Sequence, residues 1–257
     1  MTSVLHVPAF EDNYIWLIRG VSPDRVAIVD PGDAVPVLDA LARQNLVPVA
    51  ILCTHHHGDH VGGVGELLAR YDVPVYGPAR ERIPEITHRL SDGDRVRLDA
   101  LGLEFEVLDV PGHTAGHIAY YGHGLLFCGD TLFSAGCGRL FEGTAEQMHR
   151  SLTRLAALPP DTAVYCAHEY TAANLRFALT VEPDNSHIRD YQRQVGERRA
   201  RREPTVPSTI ALERRVNPFL RVYEPAVHRA VAARAGHEPA SDTETFALLR
   251  RWKDGFR

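Results

Sequence analysis

Lysine is almost missing from this chain of 257 residues. Of its 28 basic side chains, only Lys253 is not arginine. A bias that strong reflects genome composition, and it makes the single lysine a position to follow. Cysteine is also scarce. Cys53, Cys128, Cys137 and Cys166 are scattered, mostly in apolar runs, and read as buried free thiols in a reducing cytoplasm rather than a disulfide framework. No stretch approaches the ~18 consecutive apolar residues of a membrane span. The N-terminal Met1-Thr2-Ser3-Val4-Leu5-His6 lacks a charged segment followed by an apolar one, so no secretory signal is expected. Excess positive charge is absent too: the net charge of −5 argues against a generic nucleic-acid binder. What remains is ordinary for a globular protein, at 44% apolar and 24% charged, and the length suits one large domain or two smaller ones.

The first two-thirds reads as short strands between turns. Val4–Ala9, Tyr14–Arg19, Val26–Asp30, Val49–Thr54, Val73–Tyr76, Arg95–Leu98, Leu103–Val110, Ile118–Tyr121, Leu125–Cys128 and Ala163–Ala167 are rich in Val, Ile, Leu and aromatics and bounded by Gly, Pro and Asp. Helices are expected at Ala34–Gln44, with Val35, Leu38, Leu41 and Ala42 on one face, and at Thr144–Ala157, with Met148, Leu152 and Leu155 inward. Thr144-Ala145-Glu146-Gln147 reads as a capping box. The mixture suggests two sheets covered by helices. After about His168 the spacing turns helical, over Asn174–Thr180, Ser186–Arg202, Pro225–Ala233 and Thr243–Lys253, with breaks at Glu203-Pro204 and Asn217-Pro218. Glu197 and Glu203 interrupt the arginines of Arg193–Arg202, so that run reads as a solvated helix face rather than a nucleic-acid patch.

Fourteen histidines, many clustered, are the strongest signal. His55 and His57 are two residues apart after the apolar run Val49–Cys53. In extended backbone alternate side chains point the same way, so both imidazoles can reach one ion. Gly58 permits a turn, after which Asp59 and His60 can face a second position. His56 points the opposite way and is expected in a structural hydrogen bond. Three further strands end in a ligand-type residue: Val107–Val110 leads to His113, Leu125–Cys128 to Asp130, and Ala163–Ala167 to His168. Strand ends along one edge of a fold are where sheet proteins place their sites. Asp30, closing Val26–Val29, is a candidate to orient a ligand histidine through its ring N–H.

Thr54-His55-His56-His57-Gly58-Asp59-His60 resembles the H-x-H-x-D-H signature of the metallo-β-lactamase superfamily, with His113, Asp130 and His168 in the family's order. Within it the chain looks most like the glyoxalase II branch. That resemblance runs through Asp12-Asn13-Tyr14, Gly136–Thr144, His168-Glu169-Tyr170-Thr171, Val181-Glu182-Pro183 and Asn217–Arg221. It implies an α+β fold: a four-layer αββα sandwich over residues 1–168 and a helical substrate-binding domain over residues 169–257. It also implies two divalent metal ions per chain, zinc in the first place, with iron or manganese as alternatives.

Carried over position by position, the resemblance gives His55, His57 and His113 to one metal and Asp59, His60 and His168 to the other. Asp130 and a water or hydroxide would bridge them. Asp59 and Asp130 would also relay protons. Substrate would be held by Arg139, Phe141, Tyr170, Arg250 and Lys253. Some members have Tyr where this chain has Phe141, which removes a hydroxyl contact. The implied activity is hydrolysis of the thioester of S-(2-hydroxyacyl)glutathione, the second step of methylglyoxal detoxification, by a cytoplasmic monomer with no nucleic-acid or membrane partner. The rival readings are a single-iron persulfide dioxygenase and another hydrolase of the same fold, such as a lactonase. A non-catalytic metal-binding protein fits the residues least.

Overall fold

Alternating apolar residues near the N-terminus pair into a sheet whose central strands are buried on both faces. The computed structural model describes residues 2–256. Their contacts separate into two compact units: one runs to Asp109 and resumes over Ala115–Gly129, and the other comprises Val110–Thr114 and the chain from Asp130 onward.

In the first unit β1 (Ser3–Ala9), β2 (Asn13–Arg19) and β3 (Arg25–Val29) run antiparallel, and β4 (Val47–Leu52), β5 (Val75–Pro78) and β6 (His88–Leu90) continue the sheet in parallel. The switch at β3 requires a crossover, supplied by α1 (Ala34–Gln44). Asp33 caps α1 by accepting from the Val35 amide, and Asn45 ends it in the left-handed region. The buried face of α1 is Ala34, Val37, Ala40 and Leu41, while Val35 is 58% exposed. That corrects the expected face. The cap at Asp33 sets the phase of the helix, and the turn then presents Val37 rather than Val35 to the core that contains Val26, Ile28 and Ile51. Burying each such aliphatic side chain contributes about 1.5–3 kcal/mol. An antiparallel meander follows: β7 (Arg95–Leu98), β8 (Leu103–Asp109), β9 (Ile118–Gly122) and β10 (Leu125–Gly129).

The second unit is mostly helical: α4 (Ala145–Ala156), α5 (Thr171–Val181), α6 (Ser186–Ala200), α7 (Ile210–Val216), α8 (Pro225–Ala235) and α9 (Asp242–Asp254), with short strands β11 (Leu132–Phe133), β12 (Gly136–Cys137), β13 (Ala163–Cys166) and β14 (Ser208–Thr209). The capping box of α4 is formed in both directions by Thr144 and Gln147, and Met148, Leu152 and Leu155 are buried. On α6 the buried residues are Ile188, Tyr191 and Val195. Its arginines are largely exposed and pair locally, Arg193 with Asp190 on the helix and Arg201, the residue after its end, with Glu203, as a solvated face requires. Beyond the sequence-based expectation are β6, the two-residue strands, the short helices α2 (Gly58–Val61) and α3 (Val64–Leu68) in the first unit, and α7. Each is too short for a hydrophobic period to register.

Candidate metal centre

In the first unit the site grows from the paired ends of β3 and β4. These strands are parallel neighbours, so both chains leave the sheet at one edge: the Asp30 amide donates to the Leu52 carbonyl at 2.9 Å. Asp30 takes a left-handed φ of 50°, a conformation uncommon for a side chain with a Cβ and held only by surrounding contacts. Those contacts are identifiable. Its carboxylate accepts from the Thr54 amide at 2.8 Å and the Thr54 hydroxyl at 2.7 Å, and the buried Oδ2 lies 3.0 Å from His60 Nδ1. With Nδ1 of His60 directed to a carboxylate, its Nε2 lone pair is the ligand-type end, and it lies 3.6 Å from Asp59 Oδ2. The Asn13 amide donates to that same Oδ2 at 3.0 Å. His55 Nε2 and His57 Nδ1 come within 3.1 Å, and the His55 ring stacks on His117 at 4.6 Å. Ligand-type atoms of Asp30, His55 and His60 all fall within 4.8 Å of one another. His56 turns away to Glu81, 2.8 Å distant, in the structural hydrogen bond its alternation suggests. Gly32 is required by close approach: a Cβ there would stand 1.9 Å from the Asp59 carbonyl oxygen.

The second unit gathers its own three ligand-type residues. His113 Nε2 is 3.4 Å from Asp130 Oδ2, and His168 Nε2 is 3.4 Å from Asp130 Oδ1. All three are buried. His113 Nδ1 faces the Arg139 carbonyl oxygen at 2.9 Å, which directs Nε2 to the carboxylate. Gly138 lets that loop pass; a Cβ would meet the Asp130 carbonyl oxygen at 1.9 Å and His113 Nδ1 at 3.1 Å. These donor sets fit divalent metal ions. In each unit an imidazole has one nitrogen engaged by a fixed oxygen and the other turned to a carboxylate, the arrangement that metal-ligating histidines use.

The substrate-binding candidates all belong to the second unit. Tyr170 stacks on His168, rings 4.7 Å apart and 4° from parallel. Phe141 meets the His113 ring edge-on at 5.2 Å and is 62% exposed. Arg139 is exposed, with its backbone engaged by His113. Arg250 is only 4% exposed. Its guanidinium donates to the Cys137 carbonyl at 2.8 Å and to Asp254 Oδ1 at 2.9 and 3.1 Å, and it lies 5.1 Å from the Phe219 ring centroid. Lys253 Nζ sits 5.4 Å from the Phe177 ring centre and 5.7 Å from that of Phe256. Burial lowers its pKa to about 8, helped by the positive charges of Arg250, Arg176 and Arg139 and opposed by Cys137. Arg176, on α5, is therefore part of this positive cluster. It carried no signal in the sequence: an arginine among 27 is unmarked until the fold assigns it neighbours.

The fold and these donor sets define a protein of the metallo-β-lactamase superfamily, whose family model matches residues 9–168; sheets are flanked by helices, and a C-terminal helical region follows. Residues 169–256 match the model described as hydroxyacylglutathione hydrolase C-terminus. Over its full length the chain is 56% identical to a hydroxyacylglutathione hydrolase of Photobacterium profundum, covering 100% of both chains. It belongs to the hydroxyacylglutathione hydrolase family. Among solved structures it resembles ETHE1 from Myxococcus xanthus, at 26% identity, TM-score 0.69, 98% of this chain and 91% of that one. It also resembles TTHA1623 in a di-iron-bound form, at 28% identity, TM-score 0.59, 85% of this chain and 100% of that one. The fold with its His and Asp clusters implies divalent metal ions.

Proposed function

We propose that this chain hydrolyses the thioester of S-(2-hydroxyacyl)glutathione, taking S-D-lactoylglutathione to D-lactate and glutathione. The observation that carries the reading is the full-length match to hydroxyacylglutathione hydrolases, joined to the positive cluster of α9. Lys253 is a lysine desolvated among arginines, so its ammonium is strained until an anion arrives. Glutathione brings two carboxylates, which Arg139, Arg250 and Lys253 would meet, with Arg176 adding to the positive charge beside Lys253.

In this reading His55, His57 and His113 would hold one divalent metal and Asp59, His60 and His168 a second, with Asp130 as a ligand-type residue for both. Zinc is the metal proposed, with iron or manganese as the alternatives that such a donor set accepts. The metals, when bound, would supply a hydroxide nucleophile at neutral pH and polarise the thioester carbonyl. The chain's own work is orientation. Asp30 and the Arg139 carbonyl orient the imidazoles of His60 and His113, Asn13 fixes the Asp59 carboxylate, and Asp59 and Asp130 would relay the nucleophile's proton. Tyr170 and Phe141, packed on His168 and His113, would border the acyl group. The leaving thiol has a pKa near ~8.5, so departure as thiolate needs no protein acid. Residues 169–257 act as the substrate-binding domain, and the protein works as a cytoplasmic monomer. The cysteines, free and buried among the described residues, suit a reducing compartment, and none of the described helices is long and apolar enough to cross a membrane. The test is hydrolysis of S-D-lactoylglutathione beside a simple lactone and a β-lactam. Preference for the thioester by orders of magnitude is expected; equal or better turnover of the lactone overturns the assignment.

A further inference from the structure

Glu81 is a buried carboxylate whose two oxygens reach the two segments on either side of a ligand-type histidine. It follows β5, and its side chain is only 2% exposed. Its Oε1 accepts from the Gly116 amide at 3.1 Å, while Oε2 faces His56 Nδ1 at 2.8 Å. Gly116 is required there, because a Cβ would stand 2.6 Å from Glu81 Cγ and 2.9 Å from Arg80 Cβ. All of these residues belong to the first unit. A carboxylate buried this deeply persists only where hydrogen bonds replace its lost hydration, and here each oxygen serves a different segment.

Those segments are the ones that hold His55. His56 follows His55 directly and separates it from His57. Gly116 precedes His117, whose ring stacks on that of His55 at 4.6 Å and 18° from parallel. On the near side of His55 the same two segments are already joined. The Ile118 amide donates to the Thr54 carbonyl at 3.0 Å, and the Tyr120 hydroxyl donates to the Cys53 carbonyl at 2.8 Å. Glu81 closes the frame on the far side.

We infer that Glu81 is a positioning residue for metal ligation: by bridging the His56 ring and the Gly116 amide it fixes the peptide between His55 and His57 and keeps His117 seated against His55. The inference rests on the assignment of His55 and His57 to one metal and does not depend on the substrate. It gives the middle histidine of the H-x-H pair a task. His56 is the handle, turned away from the ion, by which the residues on either side are held.

Zinc loss to a chelator, read beside thioester turnover and denaturant unfolding, tests the bridge. In zinc-loaded protein, Glu81→Ala is expected to speed zinc loss by about tenfold, the lower end of what losing an outer support of a ligand produces, with kcat falling and KM little changed. Glu81→Gln keeps the reach and both hydrogen bonds once His56 takes its other tautomer, so it should recover most of the loss. His56→Ala should also speed zinc loss, and Glu81→Ala should then add less than it does alone, the bridge being already open. Arg82→Gln, an exposed neighbour, should leave the rate unchanged. Zinc loss at the parent rate in Glu81→Ala, whatever its unfolding midpoint, makes Glu81 merely structural and overturns the inference, as does full additivity with His56→Ala. Should Glu81→Ala fail to fold, Glu81→Asp decides. It keeps the charge but is one methylene too short to span both partners, so faster zinc loss supports the bridge and a parent rate overturns it. If the parent retains zinc but turns over no thioester, the hydrolase reading fails while the chelator rates still judge Glu81.

Discussion

The two compact units solve one problem with different materials. In the first, a ligand-type histidine is aimed by a buried carboxylate: Asp30 reaches Thr54 and His60 through one side chain placed by two paired strand ends. In the second, His113 is aimed by a backbone carbonyl on a loop, and that loop is held from a distant helix. A charged orienter concentrates its effect in one residue, whereas a carbonyl orienter spreads it over a glycine-tight loop and whatever clamps that loop. The first unit should therefore fail sharply at one position, and the second gradually at several.

The sharpest way to break the contrast is at Asp30. Asp30→Ala removes the partners of Thr54 and His60 together, and kcat/KM is expected to fall by about 100-fold or more with loss of metal. Metal analysis beside kinetics checks this, and a variant with full metal and near-parent activity would erase the distinction between the units. Next in size is Glu213. Its carboxylate is buried and accepts from Ser134 Oγ, the Ala135 amide and Asn217 Nδ2. Glu213→Leu strands those donors and should lower unfolding free energy by about 2–4 kcal/mol, read by denaturant unfolding, with no such loss from Glu197→Leu on the exposed face of α6.

Substrate binding gives milder effects. Lys253→Ala should raise KM about tenfold while kcat changes little, one charge-assisted contact being removed from ground state and transition state alike. A collapse of kcat at constant KM would remove Lys253 from substrate binding. Its protonation supplies a related test. With a pKa lowered to about 8, Lys253 is cationic below that value and neutral above it, so KM should climb as pH rises through 8. Fold stability moves in the opposite sense. The unfolded chain binds this proton more tightly than the folded one, so between pH 8 and the ordinary lysine value Lys253 makes unfolding less favourable as pH rises. A KM profile flat through pH 9 would contradict the assignment. Smallest of all is Phe141→Tyr, which adds a hydroxyl at this position and should lower KM only a few-fold, about the worth of one hydrogen bond.

The same contrast explains what the sequence revealed. The first unit's ligand-type residues are contiguous, His55 through His60, and strand alternation alone separates His56 from its neighbours. The second unit's ligand-type residues, His113, Asp130 and His168, stood out because each follows an apolar strand. Their support was not legible. A backbone carbonyl such as that of Arg139 has no sequence signature, and neither has the burial of Arg250, which the resemblance named only as a substrate contact. The α1 face was misread for a related reason, since the cap at Asp33 and the sheet beneath fix the helix phase more firmly than the list of apolar residues does.

The central claim is that the two differently built sets of ligands serve a thioester hydrolase with two metals. Metal content per chain, measured together with turnover of S-D-lactoylglutathione, tests it most directly. Two divalent ions per chain with thioesterase activity, both reduced in His60→Ala and in His168→Ala, is the expected result. One iron per chain with oxygen consumption and no thioester hydrolysis would contradict it.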